Sequence, residues 1–140
     1  MEAQRDVTAE RVANALGVPL LRFLDVSAVS PQDPRAGISL APAANVLNAV
    51  DLPHAGAIST ILEIAAYLAL VPDLSPDEEA VSHALFVSYV ARAEAETPLT
   101  ASGQVVRRTR RLAFVTAELN QDGRLLATAH VTKSIYTGGR

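Results

Sequence analysis

The sequence predicts an α+β fold in which one long helix is buried and a curved antiparallel sheet wraps around it. Three observations carry that expectation. Residues 54–71 allow four to five helical turns without a proline, with small and aliphatic side chains on every side, and a helix that is apolar all round is normally a buried one. The segments after it read as strands, most clearly residues 125–136. There Leu125, Ala127, Ala129, Val131 and Ile135 fall on one face and Thr128, His130, Thr132 and Ser134 on the other, the pattern of an antiparallel sheet covered on one side. The order of elements is short helix, two strands, long helix, then three or four long strands. Each side of the long helix needs a cover, and the curved sheet and a second copy of the protein are the natural ones.

Bulk composition narrows the function classes. A chain of 140 residues fits one domain with one sizeable core: 1–19 as an N-terminal helix and linker, about 20–136 as the core. Net charge is −3 and aromatics make up 4%, with no tryptophan, which speaks against nucleic-acid binding. There is no cysteine, so disulfides, a thiol nucleophile and cysteine-ligated zinc are excluded. His54, His83 and His130 have no metal-ligand spacing, and no metal or separate cofactor is expected. The N-terminus, with Glu2, Arg5, Asp6, Glu10 and Arg11, does not read as a signal peptide. No apolar run is read as approaching the roughly 20 residues that span a bilayer, so a cytoplasmic protein without membrane contact is expected.

In chain order, residues 6–16 form a short helix, capped by Asp6 or Thr8, carrying Val12 and Leu16 as an apolar pair and stopped by Gly17. Residues 20–24 are either a further short helix or the lead into a strand. Residues 25–30 and 37–41 are two short strands around a turn marked by Pro31, Asp33 and Pro34. Residues 43–53 are an irregular connection with Asn45, Asn48 and Asp51. After the long helix and a polar loop at 72–79, strands are expected at 81–94, 100–110, 112–120 and 125–136, with Gln121-Asp122-Gly123 as a hairpin turn.

The polar residues of the long helix are not scattered. At about 100° per residue, Gly56, Ser59 or Thr60, Glu63 and Tyr67 fall on one stripe. A carboxylate in apolar surroundings is costly unless it is partnered or used. Asn48 stands six positions before His54-Ala55-Gly56, and Glu63 nine positions after the histidine. Residues 110–115 and 122–127 add Arg-Arg-Leu-Ala-Phe-Val and Asp-Gly-Arg-Leu-Leu-Ala. In these motifs, over about residues 26–136, the chain resembles the hotdog-fold acyl-CoA thioesterases of the phenylacetate-pathway and 4-hydroxybenzoyl-CoA type.

The resemblance implies hydrolysis of acyl-CoA thioesters with a small or aromatic acyl group, coenzyme A being part of the substrate. It implies Glu63 as general base or nucleophile, the Ala55 N–H as polariser of the thioester carbonyl, Asn48 as an assisting group and Ser82 as a water-orienting one. His54 is either a catalytic group or a helix-start residue that orients the loop. Asn48 is either that assisting group or a plain loop residue. Gly56 and Thr60 lie beside the substrate on this reading, although Ser59 and Thr60 can instead bond back to helix carbonyls. Arg107, Arg108, Arg110 and Arg111 are either a solvated hairpin tip or a clamp for the phosphates of coenzyme A. Two positions depart from the family pattern, where Ala55 and Asp51 replace glycines. Asp51 either brings negative charge to the site or caps the helix.

Ala55 and Glu63 are roughly 12 Å apart along one helix axis. Two antiparallel copies bring Ala55 of one to Glu63 of the other, so a twofold homodimer with composite sites is expected, with a dimer of dimers also open. The rival expectations are a non-catalytic acyl-CoA binder and, with His83 as the partner base, an enoyl-thioester hydratase or dehydratase.

Overall fold

The computed structural model describes residues 1–138. The first helix, α1 (Glu2–Leu16), begins four residues before the expected cap, with Met1 at the N-cap and no side-chain cap. Glu2, Ala3, Gln4 and Arg5 are good helix formers, so the helix extends through them without one. Gly17 ends it through a hydrogen bond from its N–H to the Ala13 carbonyl, 2.9 Å. The open choice at residues 20–24 resolves as a helix, α2 (Pro19–Leu24), with proline at its start after extended Val18. Asp25, at φ 58°, closes it in the left-handed conformation that aspartate tolerates.

Strands β1 (Val26–Ala28) and β2 (Ile38–Leu40) pair around a 3-10 turn at Pro34–Ala36. The central helix, α3 (Ala55–Leu70), follows the 43–53 connection. Then come β3 (Glu78–Tyr89), β4 (Leu99–Arg108), β5 (Leu112–Gln121) and β6 (Arg124–Thr137). Expected residues 90–94 are not part of β3. The strand stops at Tyr89, and Gln121 instead ties the following segment down, accepting from the Glu94 N–H at 2.8 Å and donating to the Thr97 carbonyl at 2.7 Å. The sheet runs β1-β2-β4-β5-β6-β3, with every pairing antiparallel. It curls around α3, the hotdog arrangement.

The layers meet over small side chains. Gly103, Ala117 and Ala129 form one row across β4, β5 and β6. A Cβ at Gly103 would sit 2.8 Å from the Ala65 carbonyl oxygen and 3.0 Å from Ala69 Cβ. That close approach lets the sheet lie against Ala65, Ala66 and Ala69, all buried. Gly103→Ala is expected to lower stability by about 1–3 kcal/mol through overpacking, read as a lower urea midpoint with unchanged slope. At Gly37, φ is +90° and a Cβ would lie 2.0 Å from the Ala101 carbonyl oxygen, so β2 can join β4 only with glycine there.

Three bulges modify the expected alternation. In β6, Leu126 is the extra residue: Leu119 pairs with Ala127 and Asn120 with Leu125. Leu126 is therefore buried and Leu125 exposed, the reverse of the period-two reading at that end. In β3 the register shifts at His83, between Ser82 and Ala84. In β4 it shifts at Val106, between Val105 and Arg107. The bulges in β3 and β4 each turn a polar side chain, Ser82 and Arg108, toward the inside of the sheet.

The helical stretch Ala55–Asp73 is, by length and composition, long and apolar enough to cross a membrane, which corrects the reading of the apolar runs. In the fold it is the core helix, with 56% of the qualifying window buried.

Candidate active site

The N-terminus of α3 is set by His54. Its imidazole Nδ1 accepts a hydrogen bond from the Gly56 N–H at 2.8 Å, which puts the ring proton on Nε2. His54 is thus the helix cap, and Asp51 is not. Asp51 instead takes a left-handed turn at φ 59°, the conformation that a glycine would supply at this position. Asn48 organises the same turn: its Oδ1 accepts from the N–H groups of Val50 at 3.0 Å and Leu52 at 3.1 Å. The Ala55 N–H has no protein acceptor among the described residues. It is a first-turn helix donor with partial positive charge and access to solvent. Ala55 lies inside the helix, so its backbone does not call for glycine.

Along α3, the stripe read from the sequence is the face left uncovered in the single chain: Gly56 is exposed and Ser59, Thr60, Glu63 and Tyr67 are half-buried. Thr60 donates back to the Gly56 carbonyl at 2.8 Å. Ser59 does not bond back; its Oγ meets the Tyr89 hydroxyl at 2.6 Å, and that hydroxyl also donates to the Ala55 carbonyl at 3.0 Å. The end of β3 thereby pins the start of α3.

Glu63 is not the isolated carboxylate that its apolar neighbours suggest. Its Oε1 accepts from Ser82 Oγ at 2.6 Å and from Lys133 Nζ. Lys133 and Ser82 are paired across β6 and β3, and the His83 bulge puts Ser82 on the helix side opposite the lysine. Sequence reasoning missed Lys133, although a signal was present: it interrupts the apolar series Ala127, Ala129, Val131, Ile135 at a period-two position. Burial pushes the Lys133 amine below the ordinary lysine range of 10.5, against the attraction of Glu63. One turn on, burial first and then the Glu79 carboxylate push the Tyr67 hydroxyl up to about 12; it donates to Glu79 at 3.4 Å.

These groups open into a cleft of about 410 Å³ lined by Glu63, Ile64, Tyr67, Ser82 and Lys133 together with Ala15 of α1. Helix α1 is held over it by Arg11, which is buried and donates to the carbonyls of Ser75 at 2.9 Å and Pro76 at 3.2 Å. A larger cleft of about 830 Å³ between α1 and the turn after β1 contains none of the candidate residues.

The arginines divide. Arg107, Arg110 and Arg111 are exposed at the β4–β5 hairpin. The Val106 bulge turns Arg108 inward, where it pairs with Glu78. The Ser75 N–H first, and Arg108 with it, hold the Glu78 carboxyl below its usual 4.5. Arg108 is therefore committed to the fold. It shares a sheet row with Ala113, Lys133 and Ser82, which puts the hairpin roughly 14 Å from Ser82 at strand spacing. Among the described residues, no group of three His, Asp or Glu is placed to hold a metal ion.

A family model described as the N-terminal domain of acyl-CoA thioesterases matches residues 44–134, a span that contains Asn48, His54, Ala55, Glu63, Ser82 and Lys133. No curated protein sequence matches the chain. Among solved structures, a thioesterase family protein from Silicibacter pomeroyi superposes with TM-score 0.84 at 22% identity, covering 94% of this chain and 99% of that one. The PaaI protein from the phenylacetic acid degradation operon of E. coli gives 0.78 at 19% identity, with 94% and 95% covered. A thioesterase from Haemophilus influenzae gives 0.77 at 12% identity, with 91% and 90% covered. At these identities the structures are similar in fold, and the family match carries the assignment: the chain belongs to the acyl-CoA thioesterase family and is a thioester hydrolase.

Proposed function

We propose that this protein hydrolyses coenzyme A thioesters of small or aromatic acids at a composite site between two copies of the chain. The observation that carries the reading is Glu63, the single acid of α3, held in an open cleft by one oxygen while the other has no bonding partner among the described residues. Hydrolysis needs a polarised carbonyl and an activated attacker. The free Ala55 N–H, at the positive end of the helix dipole, is suited to receive the negative charge that develops on the thioester oxygen. Glu63 supplies the attack by one of two routes. It takes a proton from water while the water oxygen bonds to the carbonyl carbon, or its own oxygen forms that bond to give an acyl-enzyme anhydride. In both, the C–S bond breaks, and the coenzyme A thiolate leaves and is protonated; the second route needs water to cleave the anhydride.

Helix spacing separates Ala55 from Glu63 of the same chain by roughly 12 Å, so a second chain must supply one of them. Strand β3 is the natural seam. It is an edge strand among the described residues, it runs from Glu78 to Tyr89, and Val81, Leu85, Phe86 and Tyr89 on it are exposed. A long apolar edge of this kind invites pairing with another strand. Of the four arginines at the hairpin, Arg107, Arg110 and Arg111 have no ion-pair partner among the described residues and remain for the phosphates of coenzyme A. Asn48 keeps its side-chain amide N–H groups for the carbonyl end of the substrate, its oxygen being spent in the turn.

The hydratase alternative finds less support, because its candidate base His83 bonds through Nδ1 to Ser134 Oγ at 2.6 Å, and Ser134 lies on the sheet face away from Lys133 and Glu63. The test is thiol release from acetyl-, butyryl-, phenylacetyl- and benzoyl-CoA by the wild-type protein. Steady release from at least one supports hydrolysis. Tight binding of the panel in calorimetry without release would replace the enzyme by a binder.

A further inference from the structure

Lysine is rarely fully buried unless it is paired, yet Lys133 is 1% exposed, on the helix-facing side of β6 between Val131 and Ile135. Its ammonium lies against Glu63 Oε1 and 5.3 Å from the centre of the Tyr67 ring. The other donor to Oε1 is Ser82, brought to that face by the His83 bulge. Both bonds fall on the same carboxylate oxygen. A carboxylate otherwise presents two equivalent oxygens and turns about its last bond; here one is tethered twice and the other has no bonding partner among the described residues, in a side chain that lines the cleft.

Resting on the hydrolase reading, we infer that Lys133 is a positioning residue for thioester hydrolysis: with Ser82 it fixes Glu63 through Oε1, so that Oε2 is the oxygen presented to the reacting carbon or to its water. The bulge serves the same end, since without it Ser82 would point to the other face of the sheet. The charged and titratable groups around the lysine are Glu63 and Tyr67 from α3, Glu79 from β3, and Arg11 from α1, which pairs with Glu79 at 3.6 Å; β5 contributes Ala113. Tyr67 stays protonated to about pH 12, so loss of the Lys133 proton is the event that removes the tether as pH rises. Burial moves that event below the ordinary 10.5.

The experiment measures kcat and KM against pH for wild type, Lys133→Met and Lys133→Arg, using whichever of phenylacetyl-CoA and benzoyl-CoA the wild type turns over faster. Wild type is expected to lose kcat at alkaline pH below 10.5. Lys133→Met is expected to lose kcat by about 10- to 100-fold, the cost of removing an orienting partner, with KM within about threefold and no alkaline limb. Lys133→Arg is expected to recover part of kcat and to move the limb upward, because guanidinium keeps its charge. A folded Lys133→Met with wild-type kcat and an unchanged limb overturns the inference while leaving the hydrolase reading intact. If Lys133→Met does not fold, a wild-type kcat that stays flat to pH 10.5 overturns it equally. A wild type that releases no thiol overturns the hydrolase reading first, and this inference with it.

Discussion

Glu63→Gln is expected to lower kcat by about a thousandfold, within the range for loss of a general base, with a smaller change in KM. Glutamine is nearly isosteric. Its amide oxygen can still accept from Ser82 and Lys133, so the side chain keeps its place while the free oxygen becomes a nitrogen with neither charge nor basicity. The substitution also leaves the buried Lys133 ammonium without its counter-charge, and removing one partner of a buried pair destabilises more than removing both. The double variant Glu63→Gln/Lys133→Met is therefore expected to regain thermal stability over the single variant without regaining activity. Steady-state thiol release and melting curves on the three proteins check this. Turnover by Glu63→Gln equal to wild type would remove Glu63 from the mechanism.

The second large effect concerns a single backbone hydrogen. Ala55 is the first residue of α3, a position that proline favours because its N–H has no helical partner. His54 already has φ −66° and ψ 138°, the extended conformation that a following proline requires. Ala55→Pro therefore deletes the proposed oxyanion donor and leaves the helix. Its expected cost is about 100- to 1000-fold in kcat, the cost of losing one such donor, with little change in the melting temperature. Wild-type turnover by Ala55→Pro would assign the oxyanion role to another group.

Much of this site could be read from the chain alone, because its parts lie close in sequence. The stripe Gly56, Ser59, Thr60, Glu63 and Tyr67 follows from helical geometry, and it is the stripe left open. The Asp122-Gly123 turn, with φ 50° and 73°, followed from its residue types. The contacts that escaped depended on register. Ser82 reaches Glu63 only because His83 is bulged, and Arg108 rather than Arg107 turns inward only because Val106 is. A bulge is one extra residue in one strand, fixed by how that strand packs, and neither His83 nor Val106 has a glycine beside it to mark the bulge. Lys133 escaped for a different reason. Its position in an apolar series was visible, but its partner lies 70 residues away on another element, and only the fold joins them. The start of α1 is not marked by a cap, because the strong helix formers at residues 2–5 begin the helix without one.

The central claim is that Ala55 of one chain and Glu63 of another serve one site. Ala55→Pro and Glu63→Gln are each inactive as homodimers on this account. Mixed in equal amounts and allowed to exchange subunits, half of the dimers become heterodimers, each with one site built from an intact Ala55 and an intact Glu63. The account predicts recovery of about a quarter of wild-type thiol release. A mixture whose subunits demonstrably exchange and which stays as inactive as its two components would contradict it.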